Sequence, residues 1–297
     1  MFLLKNASQI YGIIKISNSE SEIYSTIFFL IHFIYELYMK DYGLVSIIMP
    51  SYNCGMYVEE TIRSVQAQTY QNWEIIFMDD CSNDDTIRKL SVMREEEKRI
   101  HLYQNISNLG AAVSRNNALR EAKGRWIAFL DSDDLWEPEK LEKQIKFMEE
   151  NDYAFSYTGY QEIDNESKTT GVLVSGPKHV TKRGMYNFCW LGCLTVMYDA
   201  SKIGLVQIED IKKNNDYAMW LKVCKKADCY LLDECLAKYR RGRAGSVSSH
   251  SITTMIGWHY KLWHEAEGKS AIASLWLTGV NLIFGFYKKI KYVSKTV

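Results

Sequence analysis

Residues 126–134 read WIAFLDSDD. The first five, Trp126 to Leu130, are apolar without alternation. That is the signature of a short strand buried on both faces of a sheet. The run then breaks into Asp131, Ser132, Asp133 and Asp134, so three carboxylates stand just past a strand end. Pro138 follows, in a position suited to a first helical turn, and Leu141, Ile145 and Met148 make a stripe at helical spacing. Two earlier stretches repeat the pattern. Val45 to Met49 (VSIIM) lies between Gly43 and Pro50, and Glu74 to Met78 (EIIFM) ends at Asp79-Asp80. Helical stripes separate the runs: Val58, Ile62 and Val65, then Asp84 to Arg99 with its solvated REEEKR face, then Ala111 to Ala122 before Gly124. His101 to Tyr103 reads as a further short strand. Strands alternating with helices predict an α/β fold with a parallel sheet covered on both faces. Ligands then sit beyond the carboxyl ends of the strands. Three polar clusters fall there: Ser51-Tyr52-Asn53, Asp79-Asp80, and Asp131 to Asp134.

The second half is less regular. Tyr153 to Tyr160 reads as strand, Asp164 to Thr170 as a polar turn, and Asp216 to Ala227 as an amphipathic helix with Trp220, Val223, Cys224 and Ala227 inward. Cys229 to Tyr239 returns as strand. A basic, glycine-containing loop runs from Arg240 to His250. The last segment, Ile272 to Lys291, mixes Trp276, Leu277, Ile283, Phe284, Phe286 and Tyr287 with Lys288, Lys289 and Lys291. Such a segment suits a membrane surface or an ordinary packed helix. Near the other end, Ile23 to Tyr38 is strongly apolar but short for a membrane span. It reads as an interfacial anchor, a buried helix, or an extension upstream of a start at Met39.

Composition narrows the classes. The chain has 297 residues, 36 basic and 36 acidic, with formal net charge +0. No bulk charge selects a nucleic acid as partner. Seven cysteines are an odd number, and no CxxC pair occurs. Free thiols in a reducing compartment are expected, without a disulfide framework or a zinc site.

The acidic triplet carries the sharpest chemistry. Carboxylates packed this closely repel one another unless a cation sits among them. Hard oxygen ligands suit Mg²⁺ or Mn²⁺, which commonly take further ligands from substrate phosphates. The plainer reading is helix capping, which suits Asp134 well. Asp79 and Asp80 have the same two readings, since a carboxylate can accept from a nucleotide base or close a turn. A nicotinamide site would want GxGxxG after the first strand, and the chain has PSYNCG there.

Taken together, VSIIMPSYN (45–53), QTYQNWEIIFMDDCSNDDT (68–86) and NLGAAVSRNNALREAKGRWIAFLDSDD (108–134) resemble the family 2 glycosyltransferases of GT-A fold. The likeness continues through NNDYAMWLKV and YRRGRAGSVS to about Ser249, and leaves out residues 1–40. It implies a mixed, mostly parallel sheet flanked by helices, with a C-terminal helical extension. The implied divisions are an N-terminal apolar extension (1–40), a nucleotide-sugar-binding half (41–150), an acceptor-side half (151–250) and an amphipathic C-terminal segment (251–297). The resemblance implies that Pro50, Tyr52 and Asp80 hold the nucleotide base. It gives Asp131 to the ribose, Asp133 to a Mn²⁺ or Mg²⁺ ion, and Arg115 to orienting the donor. Asp216 falls where the family has its catalytic base, and Asn215 stands where the family carries a glutamate. Asparagine cannot carry that charge, though it still accepts and donates hydrogen bonds. Arg240, Arg241 and Arg243 match a lid over the diphosphate. The implied activity is inverting transfer of a sugar from a nucleotide-diphosphate sugar, UDP by resemblance, to a saccharide or lipid-linked saccharide acceptor. The implied setting is surface-polysaccharide synthesis in the cytoplasm, at the inner face of the membrane. The rivals are a sugar-nucleotide nucleotidyltransferase, which lacks its glycine- and arginine-rich phosphate loop here, and a non-catalytic protein decayed from a transferase.

Overall fold

A computed structural model describes residues 41–242 and 252–295. The chain divides into two units, Met1–Tyr42 and Gly43–Val297, and every element below belongs to the second. The apolar run Ile23–Tyr38, with Arg243, Gly245 and His250, lies outside the described residues.

The first half alternates as the apolar runs require: β1 (Val45–Ser51), α1 (Val58–Gln66), β2 (Trp73–Asp79), α2 (Thr86–Glu96), β3 (Ile100–Gln104), α3 (Ala111–Glu121) and β4 (Trp126–Phe129). Every residue of β1, β2 and β4 is buried, which is why these strands carry no polar alternation. β1 lies between β2 and β4, parallel to both, and β3 continues parallel on the outside of β2. Val58, Ile62 and Val65 of α1 are fully buried, as their spacing predicts.

The second half adds β5 (Leu135–Trp136), α4 (Lys140–Glu150), β6 (Phe155–Ile163), β7 (Thr169–Val174), β8 (His179–Val180), α5 (Lys182–Asn187), β9 (Met197–Asp199), α6 (Ala200–Ile203), α7 (Asn215–Val223) and β10 (Cys229–Arg240). It closes with α8 (Ile252–Lys261), α9 (Ala271–Lys291) and β11 (Val293–Lys295). The main path of the sheet runs β11-β7-β6-β9-β4-β1-β2-β3, and β10 pairs with β5, β6 and β8. The sheet is mixed. Its longer ladders, β1–β2 and β10–β6, are parallel, while the short strands β5, β8, β9 and β11 attach antiparallel. Trp220 of α7 sits at the centre of the core, edge-on to Phe129 at 5.1 Å and tilted against Phe155 at 5.9 Å.

Several boundaries moved for local reasons. The turn expected over 164–170 closes earlier, because the Asp164 carboxylate accepts from the backbone N–H of Glu166 and of Lys168, and Thr169 is already in β7. The helix after Pro138 starts at Lys140, and the Pro138 carbonyl instead accepts from Thr69 N–H at 2.8 Å. All seven cysteines are free, with Cys54, Cys224 and Cys229 buried and Cys81 and Cys235 exposed.

Candidate active site

The carboxyl ends of β1, β2 and β4 form one rim, because the three strands run side by side in the same direction. Pro50 and Ser51 end β1 opposite Met78 and Asp79 of β2. Tyr52 follows at 43% exposure. The loops after β1 and β2 are stitched together: Asn53 N–H donates to Ser82 Oγ at 2.8 Å, and Asn83 N–H donates to Asn53 Oδ1 at 2.9 Å. Asn53 and Cys81 both take positive φ to make these turns. Asp79 is fully buried and closes the β2 turn, accepting from Ser82 N–H at 2.9 Å and from Gln104 Nε2 at 3.1 Å.

Asp80 is also buried. Its carboxylate accepts from Asn105 Nδ2 and Leu109 N–H at 2.8 Å and from Gly110 N–H at 2.7 Å. These bonds shape the turn that launches α3. Sequence reasoning gives Asp80 to a nucleotide base, whereas here both its oxygens face the 105–110 turn. The reason is the pair of backbone N–H groups ahead of a helix N-terminus, which a carboxylate satisfies well.

α3 carries Arg115 to the centre of the rim. One guanidinium nitrogen donates to Asp131 Oδ1 at 2.6 Å and the other terminal nitrogen to Asn215 Oδ1 at 2.7 Å. Arg115 is 7% exposed, and its Nε is buried without a partner. Burial works against the charge, but Asp131, with Asp216 behind it, holds the guanidinium above its ordinary pKa. The arginine therefore stays cationic, bridging a strand end to a helix start that lies 100 residues from Arg115 in the chain.

Asp216 is the next residue. It is half-buried in the first turn of α7, and its Oδ1 accepts from Tyr217 N–H at 2.8 Å. The 3₁₀ turn Cys193–Thr195 faces the same place. Burial pushes the Cys193 thiol well up, and Asp131, Asp216 and Asp134 add to this against Arg115. Cys193 is accordingly a neutral thiol, not a nucleophile.

Asp133 and Asp134 part company. Asp134 is 1% exposed and accepts from Arg240 N–H at 2.8 Å. Burial, then Asp133 and Asp131, push its carboxyl well above the usual carboxylate range. Asp133 is half-buried, and its backbone carbonyl accepts from Arg240 Nε at 2.7 Å. Arg240 is 2% exposed; its remaining nitrogens donate to the Asp164 carbonyl at 2.9 Å and to Glu60 Oε2 at 2.8 Å, and its guanidinium lies 4.5 Å from the Tyr57 ring. This corrects the expectation of a lid residue at Arg240. It ends β10 as a buried brace under the acidic turn, because β10 pairs with β6 through Arg240–Ile163. Arg241 is exposed and pairs with Glu162 at 2.8 Å. Arg243 lies outside the described residues.

Among the described residues, no group of three or more His, Cys, Asp and Glu side chains converges as a metal cage. The donor set nonetheless fits a hard divalent ion held partly by substrate. Asp131 gives its Oδ1 to Arg115, and Asp133, two residues on, carries the hard oxygen type that such an ion takes. The mutual repulsion felt at Asp134 is the kind that a cation among the three carboxylates relieves.

Sequence reasoning missed the Arg115–Asn215 bridge, the Asn105 anchor and the brace of Arg240. It also missed Lys288 of α9, whose Nζ donates to the Trp190 carbonyl at 2.7 Å. Burial pulls that ammonium down to about 8, against the opposing charge of Asp216. No local pattern announces any of these, since each joins segments far apart in sequence.

The geometry can be set beside known proteins. The model of the family described as glycosyl transferase family 2 matches residues 46–190. TuaG of Bacillus subtilis (strain 168), whose name places it as a glycosyltransferase in teichuronic acid biosynthesis, is 43% identical over 66% of this chain and 79% of its own. WfgD of Escherichia coli is 41% identical over 72% of this chain and 83% of its own, and is named a UDP-Glc:alpha-D-GlcNAc-diphosphoundecaprenol beta-1,3-glucosyltransferase. Among solved structures, S. aureus TarS 1-349 in complex with UDP-GlcNAc aligns with TM-score 0.60 at 20% identity, over 83% of this chain and 76% of that one. The mannosyltransferase PcManGT of Pyrobaculum calidifontis, in complex with GDP-Man and Mn2+, aligns with TM-score 0.56 at 14% identity over 87% and 82%. These structural likenesses establish the GT-A fold.

Proposed function

Since the chain belongs to glycosyl transferase family 2, and is on that ground a glycosyltransferase, we propose that it transfers a hexose from a UDP-sugar, with inversion, to a hydroxyl of a lipid-linked saccharide. The single observation that carries the mechanism is the bridge from Asp131 through Arg115 to Asn215, which sets Asp216 beside the acidic turn. The UDP donor and the diphospholipid-linked acceptor are supported by the name of WfgD, and the UDP donor also by the TarS complex. The setting in surface-polysaccharide synthesis draws on the name of TuaG.

In this reading the nucleotide lies on the β1–β2 rim, against Pro50 and exposed Tyr52, with Asp80 supporting the rim through the 105–110 turn. Asp131 meets the ribose. Arg115 supplies its permanent charge to the diphosphate from beneath the rim. Asp216 accepts the proton of the acceptor hydroxyl. The oxygen then attacks the anomeric carbon from the face opposite the breaking carbon–oxygen bond, and the diphosphate leaves. General-base help of this kind is typically worth ~10²–10⁴ in rate. A Mn²⁺ or Mg²⁺ ion held by Asp133 and by phosphate oxygens would neutralise charge on the leaving group. Asn215 in place of a carboxylate leaves Asp131 as the only anion bonded directly to Arg115 among the described residues, so the net charge facing the phosphates is more positive.

Asp216→Asn tests the base. The variant should bind UDP-sugar and metal as the wild type does and release no more than about a hundredth of the product. Product linkage read by NMR should show the anomeric configuration opposite to that of the donor substrate. Wild-type turnover in Asp216→Asn, or a retained configuration, would remove this mechanism.

A further inference from the structure

α9 is inside out. Its fully or nearly buried residues are polar: Ser274 at 0%, Thr278 at 3% and Asn281 at 0% exposure. Its solvent face carries Ile272, Leu275, Trp276, Ile283, Phe286 and Ile290, each between 61% and 83% exposed. A helix on a soluble protein ordinarily does the reverse. Exposed apolar stripes of this length mark a surface with a partner.

What the partner is follows from charge and anchoring. α9 contains no acidic residue and ends in three lysines, of which Lys289 and Lys291 are exposed while Lys288 turns inward to the Trp190 carbonyl. The described residues from Ile252 to Lys295 hold six lysines against Glu265 and Glu267, in a chain of net charge +0. A coiled-coil with a second copy would need opposite charges beside its seam, and α9 offers one sign alone. A membrane span is excluded by the inner face. Asn281 accepts from Trp263 Nε1 at 2.9 Å and donates to the carbonyls of Tyr186 at 3.1 Å and Asn187 at 2.8 Å, so the helix is bolted lengthwise to the domain. An apolar face with an aromatic residue and a lysine-rich end, held flat on a rigid body, matches a helix lying in the headgroup plane of an anionic bilayer.

We propose that the outer face of α9 is the surface by which this protein docks on an anionic lipid bilayer, in the plane of the interface and without crossing it. The proposal deepens the reading above, and rests on it only for the reason a transferase would work at a membrane. The docked orientation has a consequence for the site. The inner face of the same helix reaches Tyr217 through Asn281 at 3.2 Å, and Tyr217 neighbours Asp216. Docking thus fixes the height of the base above the lipid headgroups, where a lipid-linked acceptor presents its saccharide.

Tryptophan fluorescence of the full chain reports this directly. Six of the eight tryptophans are buried, Trp258 is half-buried, and Trp276 is 72% exposed on α9. Brominated phosphatidylcholine–phosphatidylglycerol vesicles should quench the wild type, and Trp276→Phe should lose most of that quenching. Ile283→Glu/Phe286→Glu should bind these vesicles at least about tenfold more weakly, a loss of about 1.4 kcal/mol. Its metal-dependent release of UDP from a UDP-sugar without acceptor should be unchanged. Quenching that survives Trp276→Phe in full, or equal binding to vesicles of phosphatidylcholine alone, overturns the proposal. So does a dimer in sedimentation velocity that the double substitution dissolves, since the face would then belong to a second copy. Loss of UDP release in the wild type would fail the activity reading and leave vesicle docking standing.

Discussion

Arg115 shows how much one residue can hold when its geometry is forked. Its two terminal nitrogens reach Asp131 at 2.6 Å and Asn215 at 2.7 Å, so a strand end and a helix start are tied through a single planar group. Lysine keeps the charge but cannot span two partners in fixed directions. Arg115→Lys should therefore lower kcat/KM by about a hundredfold or more, the scale of losing one preorganised contact to developing charge. Its melting temperature should fall only modestly, because the charge is kept and half-buried Asp131 can be hydrated. Initial rates of nucleotide release and a thermal melt measure the two effects separately, and a rate near that of the wild type would deny Arg115 its place. The sequence made Arg115 a candidate through its likeness to a family. It contained nothing from which the Asn215 contact follows, because hydrophobic period and turn chemistry act over a few residues and this bond spans 100. The same blindness explains Arg240. A basic residue beside Gly242 reads as loop, and only its pairing with Ile163 and the bond from its N–H to Asp134 put it in the core.

At the scale of elements, α4 has an unusual start. Its first residue, Lys140, is fully buried, donates to Gln144 Oε1 at 2.9 Å and lies 4.0 Å from the Trp136 ring. Burial pulls its ammonium down to about 7. In the unfolded chain the same group holds its proton to about 10.4. Between these values the unfolded state binds more protons, so this residue makes stability rise with pH. Below the folded pKa, the native state bears the full cost of a buried cation. Lys140→Met should accordingly gain most over the wild type at about pH 6, and that gain should shrink toward about pH 9. Urea midpoints at both values test it, and a gain independent of pH would refute the assignment. The elements themselves were largely legible. β1, β2 and β4 are apolar runs because both faces are buried, and α1 and α4 announce their inner stripes by spacing alone. β5, β8, β9 and β11 were not legible, being two or three residues long and formed by pairing with distant strands. The register between β10 and β6 shifts twice, which no local rule predicts.

Across the molecule, the C-terminal segment and the candidate base are mechanically joined, and Asn281 is the joint. It is fully buried 64 residues from Tyr217 and satisfies four groups: Trp263 Nε1, the carbonyls of Tyr186 and Asn187, and the Tyr217 hydroxyl. The Tyr217 hydroxyl in turn donates to the Met185 carbonyl at 2.7 Å, so the end of α5, the start of α7 and the middle of α9 share one network. Buried networks of this kind lose more than one bond when a member is deleted, because the partners left behind are desolvated. Asn281→Ala should cost about 2–4 kcal/mol of stability on that ground. The distinctive expectation is spatial. α9 should loosen while β1–β4 stay folded, because no bond of this network touches those strands. Trypsin should then cut early at Lys288, Lys289 and Lys291, and the remaining fragment should still bind the nucleotide sugar. Transfer to acceptor should fall with the cleavage, since the residue beside Asp216 has lost its support. If Asn281→Ala resists trypsin as the wild type does, or loses nucleotide binding together with transfer, the C-terminal helix is an ordinary part of the core and the joint between it and the base does not exist.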